Sequence, residues 1–72
     1  MTWNFILKIN GEPVLGSEIA FNGTRQEAFL RSRLIAKGLA KVLGQKKFTV
    51  LVDRTDAPAR SYEVGPDGHT VD

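Results

Sequence analysis

The sequence predicts an α+β domain of two layers, β-β-α-β-β, in which a four-stranded antiparallel sheet carries one helix on one face. Three observations lead there. Two apolar runs of period two precede, and two follow, a single long segment of helical periodicity. That segment has a chemical start and a chemical stop. No cysteine, internal repeat or apolar run near the ~18 residues of a membrane span offers another plan.

In the first strand Trp3, Phe5, Leu7 and Ile9 alternate with Thr2, Asn4, Ile6 and Lys8, so one face is buried. Asn10-Gly11 is a turn signal. In the second strand Leu15, Ser17, Ile19 and Phe21 share one parity, and Val14, Gly16, Glu18 and Ala20 the other. A two-residue loop at Asn10-Gly11 sets Trp3 opposite Glu18 and puts a carboxylate on the core face. A three-residue loop sets Leu7 opposite Leu15 and Trp3 opposite Ile19, and a five-residue loop keeps the same parity. The expectation is therefore an odd-numbered loop or a bulge in place of the tight turn. Pro13, which cannot donate to a central ladder, suits an edge.

The helix is expected from Thr24 to Leu43. Thr24-Arg25-Gln26-Glu27 has the form of a capping box, and Gly44 is placed to follow the last turn in a positive-φ conformation. On a helical wheel Ala28, Ser32, Ile35, Leu39, Val42 and Leu43 share one arc, with Phe29 and Ala36 at its edge. Phe48, Val50 and Val52 then alternate with Lys47, Thr49, Leu51 and Asp53 in a third strand. "RTDAPA" forms a loop around Pro58, and Tyr62 and Val64 mark a short fourth strand, in register if Val52 faces Tyr62. "GPDGHTVD" reads as a turn and a tail that either frays or adds a short strand. One domain covers residues 1–64, followed by the tail, 65–72.

The first and third strands are the most apolar and belong in the centre, which gives the order 2-1-3-4. The rival order is 2-1-4-3, with the first and fourth strands parallel, as in the β-grasp folds. Trp3, Phe5, Ile19, Phe21, Ile35, Leu39, Phe48, Val50 and Val52 are expected to form one core.

Function narrows by exclusion. A chain of 72 residues buries only about 60% of its unfolded surface, which leaves no room for a deep cleft. His69 is the single histidine and sits in the tail with Asp67 and Asp72, too little for a metal site. No Gly-rich phosphate loop precedes the helix. The carboxylates Glu12, Glu18, Asp53, Asp56 and Glu63 scatter over turns and solvent-facing strand positions, with no reason for a shifted pKa. No enzyme activity, cofactor, metal, membrane contact or small-molecule substrate is expected. With no cysteine, and with "MTWNFILKIN" too polar-flanked for a secretory signal, the chain is expected in the cytoplasm.

Charge is unevenly placed. From Thr24 to Lys47 there are seven bases and one acid, for +6; the remaining three bases and seven acids give −4. The helix arc opposite the core carries Gln26, Leu30, Arg33, Leu34, Lys37 and Lys41. Leu30 and Leu34, one turn apart and flanked by Arg33, Lys37 and Lys41, suit docking on a protein partner or a second copy of the chain. Such a module would be a small regulator of a larger protein. The tail could instead fold over these leucines, as isolated exposed leucines are common. The alternative is nucleic-acid binding through Arg31, Arg33, Lys37, Lys41, Lys46 and Lys47. Against it, every aromatic ring that could stack on a base has core parity or sits at the edge of the core face. Gly38, in mid-helix, costs about 1 kcal/mol against alanine, and close approach of another element would explain it.

Overall fold

A computed structural model describes residues 1–44, 47–56 and 61–71. Lys46, one of the expected nucleic-acid contacts, and Pro58, the centre of the expected loop, lie outside the described residues. Strand β1 (Thr2–Ile9) is the spine of the sheet. Along one edge it pairs with β4 (Phe48–Arg54), from Trp3 opposite Arg54 to Ile9 opposite Phe48. Along the other edge it pairs with β2 (Glu12–Pro13) and β3 (Ile19–Asn22). Beyond β4 come β5 (Tyr62–Val64) and β6 (Thr70–Val71). Every pairing is antiparallel, and Val52 faces Tyr62. The class is the α+β one expected. The order differs in two details: the second strand comes in two pieces, and the tail adds a strand at the far edge. The β-grasp order does not occur, since β4, and not β5, lies beside β1.

The broken second strand resolves the parity conflict. The tight turn does form: Asn10 (φ 53°) and Gly11 (φ 81°) both take positive φ, as a two-residue primed turn requires. The register is then corrected by a bulge, in addition to the turn and not in place of it. Between the pairs Lys8–Pro13 and Phe5–Ile19, β1 supplies two residues (Ile6, Leu7) and the other arm five (Val14–Glu18), an excess of three. Ser17 fills the gap. Its Oγ accepts from the Leu7 N–H at 3.1 Å and donates to the Val14 carbonyl at 2.7 Å. A hydroxyl thus stands inserted where a direct ladder bond would otherwise close. Leu15, expected opposite Leu7, is instead thrown out to 97% exposure.

The helix α1 (Arg25–Leu43) is capped at Thr24 as its sequence requires. The Thr24 hydroxyl accepts from the Glu27 N–H at 3.1 Å, and the Glu27 carboxylate accepts from the Thr24 N–H at 3.0 Å. That hydrogen bonding holds the Glu27 carboxyl below the usual carboxylate range. Gly44 ends the helix at φ 65°, ψ −125°, a backbone region open to glycine. Gly23, just before the cap, is required by space: a Cβ there would lie 2.9 Å from the Phe21 ring.

The helix packs over β4 and β5. Its innermost row is Ala28, Ser32 and Ala36, small residues that let it approach closely; Ser32 satisfies its own hydroxyl on the Phe29 carbonyl at 2.8 Å. Beneath lie Trp3, Phe5, Phe48, Val50, Val52 and Val64. Trp3 donates its indole N–H to the Gly23 carbonyl (3.1 Å) and meets Tyr62 edge-on, and Phe5 stacks on Phe21. Ile19, an expected core residue, and Val42, on the helix arc expected to face the sheet, are both outside. Ile19 is 52% and Val42 81% exposed, because the helix sits toward β5 and the bulge draws the β2–β3 arm away from it. Phe21, Ile35 and Leu39 pack at the margin.

Candidate docking face on the helix

Leu30 (52% exposed) and Leu34 (66%) stand on the outer side of α1, one turn apart. Lys37 and Lys41 are exposed beside them. In the next two turns of the same four-residue row come Gly38 and Val42. A Cβ on Gly38 would meet nothing within 4 Å, so none of the described residues approaches that backbone.

The three arginines of the helix turn away from this face. The Arg25 guanidinium lies 5.6 Å above the Tyr62 ring, Arg31 5.6 Å above Phe21, and Arg33 5.8 Å above Phe29. Arg33 is only half exposed, and its Nε is buried without a hydrogen-bond partner among the described residues. The reason is the turn after β5, closed by the Gly65 N–H on the His69 carbonyl (2.8 Å) and the Gly68 N–H on the Gly65 carbonyl (3.0 Å). Gly68 is buried there: a Cβ on it would lie 3.4 Å from Lys37 Cε and 3.5 Å from Arg33 Nε. The tail therefore packs on the stems of Arg33 and Lys37 and leaves the two leucines open. Lys47 is exposed, four residues past the helix end at Leu43.

Among the described residues, ion pairs form elsewhere. Lys8 and Glu63 meet at 2.7 Å on the open face of the sheet. Arg54 holds Asp56 through two bonds, 2.7 and 3.2 Å, which pull the Asp56 carboxyl below its usual range. This corrects the expectation that Asp56 has no reason for a shifted pKa: Arg54, two residues away, folds back onto it across a turn. His69 stands 3.8 Å from Asp67, both mostly exposed. A shallow depression of about 380 Å³ near the hairpin turn is lined by Lys8, Lys47 and Glu63, but Lys8 is already paired with Glu63. No group of three His, Cys, Asp or Glu comes together among the described residues, and no helix there is long and apolar enough to cross a membrane.

Two features escaped the sequence. The tail's contact with Arg33 and Lys37 had only the glycines of "GPDGH" as a signal. A cleft between α1 and the bulged arm, lined by Phe5, Leu7, Ile19, Ile35 and Leu39, had only the parity conflict in the hairpin.

The fold is a small α+β domain whose helix leaves Leu30 and Leu34 exposed beside Lys37 and Lys41. Set against protein-family models, curated proteins and solved structures, the chain matches none.

Proposed function

We propose that this protein is a non-enzymatic docking module, acting in the cytoplasm, that presents the outer face of α1 to an acidic partner protein and so regulates it. Leu30 and Leu34 are the anchors, and Lys37 and Lys41 the steering charges. The observation that carries this reading is the exposure of both leucines beside a tail that packs one residue row away. Charge favours an acidic partner at this face over a second copy, since two copies would set Lys37 and Lys41 against their own kind. Gly38 adds support, as an open backbone in mid-row admits close approach of a partner helix.

The test uses a designed amphipathic peptide with leucines on one face and glutamates around them. It should bind the wild type, and Leu30→Ala with Leu34→Ala should lower affinity by at least tenfold with the fold intact, at ~1 kcal/mol or more for each anchor. Peptide binding indifferent to the double change would refute the reading. The nucleic-acid alternative is served by the same variants. Among the described residues no cation of α1 is in an ion pair, so the row is free to meet phosphates. If a random DNA duplex binds at micromolar affinity, with steep salt dependence that survives the double leucine change, that alternative replaces the first.

A further inference from the structure

The bulge leaves two complementary features on one flank of the molecule, away from Leu30 and Leu34. One is a knob: Leu15, 97% exposed, beside Gly16 at φ 81°. The other is a hole. Between α1 and the arm, Phe5, Leu7, Ile19, Ile35 and Leu39 wall a half-open apolar cleft of about 120 Å³, with Ser17 at its edge. A cavity of ~150 Å³ holds a benzene molecule, so this one has the size for a single aliphatic side chain. The exposed Ile19 extends the apolar surface around it. The cleft continues past Ile19 and Ile35 to Arg31.

Charge on this flank is self-complementary. From Asn10 to Thr24 the chain carries Glu12 and Glu18 and no base, whereas α1 carries five bases and one acid. An arm laid from a second copy onto the helix flank brings Glu18 toward Arg31. We propose that two copies of this chain associate through this flank, Leu15 of each entering the cleft of the other, with Glu18 of each facing Arg31 of the other. Knob and hole belong to the same flank of one chain, so a single two-fold axis satisfies both at once. The interface is separate from the outer face of α1 and leaves it free for a partner.

The experiment is sedimentation equilibrium of the full chain from micromolar to millimolar concentration. The wild type should pass from monomer to dimer over that range. Leu15→Asp should stay monomeric with unchanged circular dichroism and melting temperature, because Leu15 touches little of its own chain. Glu18→Arg and Arg31→Glu should each weaken the dimer by about tenfold, and their combination should recover most of the loss. Leu30→Ala with Leu34→Ala should dimerise as the wild type does. A wild type that remains monomeric throughout overturns the proposal, as does a Leu15→Asp variant that dimerises normally. Loss of the dimer in the Leu30/Leu34 variant alone overturns it too, and moves self-association to the outer helix face. Failure of the charge swap to recover removes the Glu18–Arg31 pairing.

Discussion

Removing Leu15, Gly16 and Ser17 together is expected to stabilise the monomer. The three are the excess by which the β2–β3 arm outruns β1. Without them, Ile9 still faces Glu12 and Phe5 still faces Ile19, and the arm becomes one continuous strand. The deletion removes the Ser17 relay and the Ser17 N–H bond to the Val14 carbonyl (3.3 Å), three hydrogen bonds worth about 1 kcal/mol each in net terms. It restores a direct bond from the Leu7 N–H to the Val14 carbonyl, about 1 kcal/mol. It also relieves the chain of ordering three residues, at about 1 kcal/mol apiece. The balance is a gain of about 1 kcal/mol, which in a domain of this size raises the melting temperature by about 4–8 °C. Thermal unfolding followed by circular dichroism measures it, and amide exchange at Leu7 should slow. Ser17→Ala keeps the bulge and takes away only the relay, and should cost about 1–2 kcal/mol. A deletion variant that melts below the wild type would refute the reasoning, because it would mean that the bulge contributes more than the ladder it interrupts.

Phe5→Ala removes a ring that is 2% exposed and stacked 5.7 Å from Phe21, and should cost about 3–5 kcal/mol in chemical denaturation, enough to unfold so small a domain. Gly38→Ala should raise stability by about 1 kcal/mol, since its Cβ meets nothing, yet lower affinity for the acidic peptide if a partner helix crosses there; unchanged affinity would show that no backbone approaches it. Burial pushes the Tyr62 hydroxyl above its ordinary value of 10, with Ser32 and Arg25 opposing. The folded chain then holds a proton that the unfolded chain releases, so stability is intact below pH 10 and declines as pH rises from there through the raised value. Tyr62 is the sole tyrosine, so phenolate absorbance reads it directly, and Arg25→Gln should move the midpoint further up.

What could be read from the sequence was whatever local chemistry decides. The capping box and the period-two patterns of β1 and β4 each depend on neighbours within a few residues, and each appears in the structure; the tight asparagine–glycine turn forms as well, although parity argued for an odd loop or a bulge in its place. The opposition of Val52 and Tyr62 followed from parity alone. Parity also revealed a conflict in the first hairpin, but it fixes only whether an offset is odd, and so a loop and a bulge remained equally good answers. Ile19 and Val42 were misplaced for a different reason. A helical wheel gives the order of residues around an axis, while the lateral position of that axis over a sheet is set by packing of the whole layer. Here Ala28, Ser32 and Ala36 draw the helix close over β4 and β5. On the candidate face, Leu30 and Leu34 could be assigned because they lie far from any boundary of the wheel. Arg33 could not, because the turn at Gly65–Gly68 that packs on it lies more than thirty residues away in sequence.

The central place of β1 has a consequence for synthesis. The strand that both halves of the sheet share is the first to be made, and the partner for its inner edge comes after the helix. While the nascent chain holds only the hairpin and α1, the backbone groups of β1 that will meet Phe48–Arg54 are bare, and Trp3 and Phe5 lack Val50 and Val52 beneath the helix. The helix lacks most of its floor, because β4 and β5 supply it. Structure is therefore gained late and almost at once, when β4 pairs with β1 and comes under the helix. Until that moment the emerging chain presents a naked apolar edge, and its protection in a cell depends on how quickly the next strand follows.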